Sequence, residues 1–245
     1  MTLRTLSLNK ADYRISTGIK GLDQLLGGGF KPNSVNVVVA DTGCGKSTFC
    51  WQYVAQEEKK PALFISLEQP LKQVLYESKS LGIEGFSKKN SAGILHFIYG
   101  FSESNNMTAG KFAQNFLTVE LPKYLDYLKS AATNFEGGLR IAIDPITPLL
   151  FEIDSINEQR NVINRVFQSL REIGTSVITL EKGFGDELTK VPLFLADSII
   201  DLDFVGLGSM VNRTLKVRKF RGSSHSENVH PITFEENQGL IVHSI

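Results

Sequence analysis

The densest chemistry in the chain lies in Val35–Thr48, VNVVVADTGCGKST. Small residues in this run let the backbone N–H groups of Thr42, Gly43, Cys44 and Gly45 turn inward around an anion. Lys46, Ser47 and Thr48 follow and open a segment with helical character, whose N-terminal end favours negative charge. A lysine at that point reaches the β- and γ-phosphates of a nucleotide, and the adjacent serine hydroxyl suits Mg²⁺. The pattern G-x-x-x-x-G-K-[ST] is met except at its first position, where Ala40 stands in place of glycine and lacks its freedom at positive φ. Asp144 closes the apolar run Leu139–Ile143 about a hundred residues downstream. A carboxylate at a strand end can organise Mg²⁺ through water beside Ser47.

Two further sets of residues could act on phosphate. Glu68 ends the next apolar run, ALFISL, and could orient and deprotonate a water. It could equally be a carboxylate at a helix N-terminus before Pro70. Lys219 and Arg221 lie in the strongest cationic cluster, RKFRG, and alternate side chains of a strand share a face. Such a pair can meet solvent or an acidic neighbour, or it can neutralise a phosphate held by another subunit. His225 follows a Gly-Ser-Ser turn and could donate to phosphate or ribose, or simply face solvent.

These residues must be positioned by strands and helices, and the apolar patterning supplies both. Residues 1–15 predict a short leader strand or turn. Leu22, Leu25 and Leu26 have helical spacing, and Gly27–Gly29 ends that helix. Strands are predicted over 35–39, 62–67, 94–99, 139–143 and 176–180. Helices are predicted up to Lys60, over 71–81, over 112–132 with a break at Pro122, and over 159–173. Residues 83–91 read as loop, and 100–111 as a polar, mobile stretch. Thr147 is either a phosphate-side hydroxyl or a turn residue between two prolines. Alternating strands and helices imply an α/β fold with a parallel sheet covered on both faces. After residue 195 the strands follow one another closely, which predicts antiparallel additions at one sheet edge. No linker-like composition divides the chain, so a single domain over 1–245 is expected.

Composition excludes several classes. The chain has 245 residues, 26 basic and 26 acidic, so no global field draws it to nucleic acid or an anionic membrane. No run approaches the roughly 20 apolar residues of a membrane span, and the N-terminus lacks a signal-peptide core; a cytoplasmic protein is expected. Cys44 and Cys50 form neither a disulfide framework nor a zinc spacing. Cys44 is either a small residue that fits its loop or a redox-sensitive one.

The ordered runs STGIKGLDQLLGGGF, ADTGCGKST, FISLEQP, RIAIDPIT, REIGTSVITLEKG and KVRKFRGSSH resemble the KaiC-like branch of the RecA-type P-loop ATPases. The resemblance spans Ser16 to the C-terminus. It implies a RecA-like core, ATP and Mg²⁺ as ligands, and a homo-oligomeric ring, usually hexameric, with ATP between subunits. It makes Glu68 the water-activating residue, and Lys219 and Arg221 a pair acting on the neighbour's nucleotide. Ser224 and His225 become further nucleotide contacts. The family often carries two adjacent acids where this chain has Glu68-Gln69, which bears on the hydrolysis rate. The clock role and self-phosphorylation of the tandem two-domain clock proteins do not transfer to one domain.

Two other functions compete with a ring ATPase. A recombinase-like protein on single-stranded DNA would need basic loops. The candidate segments Glu152–Arg160 and Lys182–Pro192 are respectively acidic and balanced, and Phe184 is the lone aromatic available for stacking a base. A nucleotide sensor or scaffold without hydrolysis would suit Ala40 and Gln69.

Overall fold

A computed structural model describes residues 13–100, 115–153, 155–183, 186–207 and 210–244. Its spine is one sheet in the order β3-β2-β4-β5-β1-β6-β7-β8-β9. The strands are β1 (Val35–Ala40), β2 (Ala62–Ser66), β3 (Leu95–Tyr99), β4 (Leu139–Asp144), β5 (Gly174–Glu181), β6 (Ser198–Leu207), β7 (Met210–Phe220), β8 (Val229–Glu235) and β9 (Gly239–Val242). From β3 across to β6 all pairings are parallel, and β6 to β9 pair antiparallel. The expected fold class is the observed one.

The period-2 alternation of the central strands divides the interior into two cores. Val35, Val37 and Val39 join Leu63, Ile65, Leu139, Ile141 and Ile143 on one face. That face is covered by α5 (Leu121–Ala132) and α7 (Ile156–Ile173). Val38, Ala40, Phe64 and Ala142 point the other way, toward Phe49, Tyr53 and Val54 of α2 (Lys46–Ala55) and Phe86 of α4 (Glu84–Ser91). Burial on both faces is why these strands read as continuous apolar runs. The short α1 (Leu22–Leu25) belongs to this second core through Leu22. The remaining helices are α3 (Leu71–Ser80), α6 (Thr147–Leu150) and α8 (Asp186–Leu195).

Several expectations are corrected. Residues 84–91 are helical although the segment is mostly polar. Its apolar anchor is Phe86, edge-on to Phe64 at 5.2 Å, and buried Lys89 donates to the Glu57 and Lys60 carbonyls. The helix α2 stops at Ala55 rather than Lys60, because Glu57 takes a left-handed backbone at φ 52° and its carboxylate binds Lys60 and Arg140. Pro122 does not break its helix. It sits in the first turn of α5, directly after a π-helical turn, Phe116–Glu120, which absorbs the irregularity. Much of Lys182–Pro192 is helix α8, and Glu152–Arg160 runs into α7. Ile15 pairs with Phe30 in an isolated bridge. The leader before Tyr13, the polar stretch 101–111 and Phe184 lie outside the described residues.

Ala40 is the buried last residue of β1, paired with Glu181 and Leu202, and it has no positive φ. The glycine missing from the pattern is therefore not needed at this position.

The C-terminal strands are tied down over α2. Buried Gln52 donates to Leu240 O and Gln238 O and accepts from the Leu240 N–H. Val242 donates to Lys20 O. These bonds bring β8 across the start of α2, where Phe234 meets Gly45. A Cβ on Gly45 would lie 2.4 Å from the Phe234 ring, and its φ of 105° also demands glycine.

At the other end of the sheet Arg140 is 1 % exposed. Its guanidinium donates to Ser16 O at 2.8 Å, Tyr53 O at 3.3 Å and the Glu57 carboxylate at 3.1 Å, and lies over the Tyr53 ring. Arg140→Leu leaves those carbonyls and Glu57 without their cation. It is expected to lower unfolding free energy by about 3 kcal/mol in denaturant titration.

Candidate functional site

The C-terminal ends of β1, β2 and β5 open onto a cavity of about 370 Å³. Thr42, Gly43, Gly45, Lys46, Ser47, Thr48, Glu68, Glu181, Arg213 and Phe234 line it. Ligands of parallel α/β sheets bind at this edge. The loop between β1 and α2 turns through Gly43 (φ 80°) and Gly45 (φ 105°) and brings the α2 N-terminus to the cavity, while the Cys44 N–H donates to Asp41 O within the loop.

Lys46 donates to Ala40 O at 3.3 Å and Asp41 O at 3.1 Å, and its ammonium lies 3.9 Å from Glu181 Oε1. The Ser47 hydroxyl lies close enough to Asp144 to favour its charged form. The Asp144 Oδ1 accepts from Thr179 Oγ1 at 2.5 Å. Burial pushes the Asp144 carboxyl above its usual range, while the two hydroxyls and Lys46 pull it back. A hydroxyl and a carboxylate held together at the helix start are the hard oxygen donors that Mg²⁺ takes. The donor set, Lys46 and the helix N-terminus lining one cavity thus fit Mg²⁺ and a nucleoside triphosphate.

Glu68 sits at the exposed rim of the same cavity. Partial burial raises its pKa most, followed by the negative charges of Glu181 and Asp144, with Lys46 opposing. Gln69 is turned to other work: its N–H donates to Ser66 Oγ and its side chain to Glu77. Thr147 is 1 % exposed and accepts the Glu181 N–H at 3.0 Å, so it serves the backbone of the neighbouring strand. Cys44 is fully buried in the second core, and burial raises its thiol pKa. Its side chain fills space; only its backbone faces the loop. A redox-reactive thiol needs the opposite environment.

Glu181, Arg213 and Phe234 were not foreseen. Arg213 donates to Gly43 O at 3.1 Å and stacks between the rings of Phe204 and Phe234, at 5.2 and 5.0 Å. A cation clamped by two aromatics gives the cavity a flat wall suited to a planar group. No local motif marks these residues. Glu181 reaches the loop at the end of β5, beside Ala40 of β1, and Arg213 and Phe234 reach it because β7 and β8 fold back over it.

Lys219 and Arg221 are not at this cavity. β7 runs antiparallel, so Lys219 pairs with Ile199, which is level with Val37. That is three residues short of Ala40, roughly 10 Å down the sheet. Lys219 Nζ donates to Leu193 O and Phe194 O, and Arg221 to Phe194 O at 2.6 Å, so both cap the C-terminal end of α8. Burial, and then Arg221 beside it, lower the Lys219 pKa. Arg218 instead pairs with Asp201. Ser224 is exposed, and His225 has a buried Nδ1 with no hydrogen-bond partner. This cationic cluster and the phosphate loop of the same chain are therefore separate surfaces. Among the described residues no helix is long and apolar enough to cross a membrane, and no His/Cys/Asp/Glu cluster forms a metal cage.

The family model "ATPase: KaiC" matches residues 15–245. A UPF0273 protein of Methanocaldococcus jannaschii is 31% identical over 94% of this chain and 96% of its own length. The circadian clock protein KaiC2 of Synechocystis is 30% identical over 90% of this chain. This chain spans only 38% of that protein. The crystal structure of a KaiC-like protein from Pyrococcus horikoshii superposes with a TM-score of 0.75 at 25% identity, covering 95% of this chain and 99% of that one. With that model matching nearly the whole chain and a relative of similar length 31% identical, the chain belongs to the KaiC ATPase family.

Proposed function

We propose that this chain is an ATPase domain that binds Mg-ATP at the β1–α2 loop and hydrolyses it within a homo-oligomeric ring, taken as hexameric. The observation that supports the reading is the separation of two polar clusters. Lys46, Ser47, Asp144 and Glu68 gather at one end of the sheet, and Lys219 and Arg221 lie beyond their reach. A cationic pair that cannot serve its own cavity suits a neighbour's.

Each residue has a part in this reading. Backbone N–H groups from Thr42 to Thr48 and Lys46 bind phosphate oxygens. Ser47 and Asp144 would hold Mg²⁺, which supplies positive charge against the phosphates. Glu68 accepts a proton from the attacking water at its carboxylate. Lys219 and Arg221 of one copy neutralise charge on the phosphate bound by the next, and Ser224 and His225 add polar contacts there. Arg213 and Phe234 cover the nucleotide on the side of its own chain.

Single-stranded DNA is not favoured as a partner. The described parts of Glu152–Arg160 and Lys182–Pro192 carry no excess of basic residues. The sensor reading loses Ala40 as support, since that residue is ordinary strand; Gln69 remains consistent with slow turnover.

Lys46→Ala is expected to abolish ATP binding in calorimetry. Glu68→Gln is expected to bind ATP with wild-type affinity, within about threefold, and to lose hydrolysis by about a hundredfold or more in a phosphate-release assay. Hydrolysis by Glu68→Gln at the wild-type rate would refute the base assignment. The base acts only when deprotonated, and its pKa is raised. The acid limb of kcat should therefore fall at a higher pH than an ordinary glutamate would give, with activity lost as pH drops through it.

A further inference from the structure

Glu181 is the carboxylate that the phosphate-loop motif does not predict, and its placement is built rather than incidental. Its backbone N–H is held by the buried Thr147 hydroxyl, and the next N–H, Lys182, donates to Ala40 O. Thr179, two residues earlier on the same face of β5, reaches Asp144. The strand end is thus pinned to β1, β4 and α6, and it presents the Glu181 side chain to the cavity. There it lies 3.9 Å from Lys46, with both side chains largely shielded from solvent at 18 % and 11 % exposure.

The cavity then contains two carboxylates, Glu68 and Glu181, and two cations, Lys46 and Arg213, with Asp144 buried behind. Arg213 is committed to Gly43 O and two rings, so Lys46 is the cation nearest Glu181 that is able to move. A phosphate chain must draw Lys46 from the two carbonyls and from Glu181. It must also accept a fixed negative charge at the cavity wall.

We infer that Glu181 is a positioning and specificity-determining residue of the nucleotide site: it competes with the terminal phosphate for Lys46 and so sets the preference between triphosphate and diphosphate. This rests on the nucleotide reading above. The effect should fall mainly on the triphosphate, because the β- and γ-phosphates share Lys46. The lost acid at Gln69 is thereby offset in charge, though not in position, by an acid from another strand.

The test is calorimetric binding of Mg²⁺ with ADP and with the γ-imido analogue of ATP, which is not hydrolysed. Glu181→Gln is expected to bind the analogue about tenfold more tightly and ADP less than about threefold more tightly, the size of one unit charge facing phosphate through partial screening. Glu181→Asp keeps the charge and should hold the analogue-to-ADP ratio within about threefold of wild type. Glu181→Met, also uncharged and of similar length, should match Glu181→Gln and replaces it if that variant fails to fold. A ratio unchanged in both uncharged variants, or both ligands weakened alike, overturns the inference while the nucleotide site stands. A wild-type chain that binds neither ligand overturns both.

Discussion

The structure depends on one buried carboxylate. Asp144 sits at the end of a strand buried on both faces, where an isolated charge is strongly disfavoured. The Thr179 hydroxyl donates to it, and the nearby Ser47 hydroxyl and Lys46 ammonium favour its charged form. The Thr179 bond joins β4 to β5, and Ser47 sets the start of α2 beside the same carboxylate. The carboxylate thus stands where the sheet meets the loop that opens α2. Strand β1 supplies the remaining wall, and Ala40 ends it without the glycine that the motif calls for.

Around this point the C-terminal antiparallel strands act as a second layer of the site. Gln52 ties β9 to α2, and β8 then lays Phe234 against Gly45. Arg213 is held between Phe204 and Phe234 and bonded to Gly43 O. The late strands therefore carry two unlike surfaces at opposite ends. One end closes over the phosphate loop; the other presents Lys219 and Arg221 at the end of α8.

Much of this was legible in the sequence. Strands buried on both faces appear as the apolar runs around Val35, Leu63 and Leu139, and the order strand, small-residue loop, Lys-Ser-Thr places Lys46 and Ser47 directly. Asp144 and Glu68 were readable as acids at strand ends. The polar helix 84–91 was not, because its stability comes from Phe86 meeting Phe64 and Lys89 reaching distant carbonyls. Tertiary contacts outweighed weak local propensity there. Glu181 and Arg213 were missed for the same kind of reason. Each is an unremarkable charge in a strand until sheet order brings it to the loop, and that order is set by packing between segments more than a hundred residues apart. The separation of Lys219 and Arg221 from their own loop likewise follows from strand direction and register.

The central claim is that the site is shared between two copies of the chain, and mixing defective copies tests it most directly. Arg221→Ala and Glu68→Gln chains should each hydrolyse ATP poorly alone. Mixed in equal amounts, with subunit exchange verified by labelled chains, they should recover part of the wild-type rate, because some interfaces then join an intact Glu68 to an intact Arg221. A mixture no more active than its two components would contradict the account.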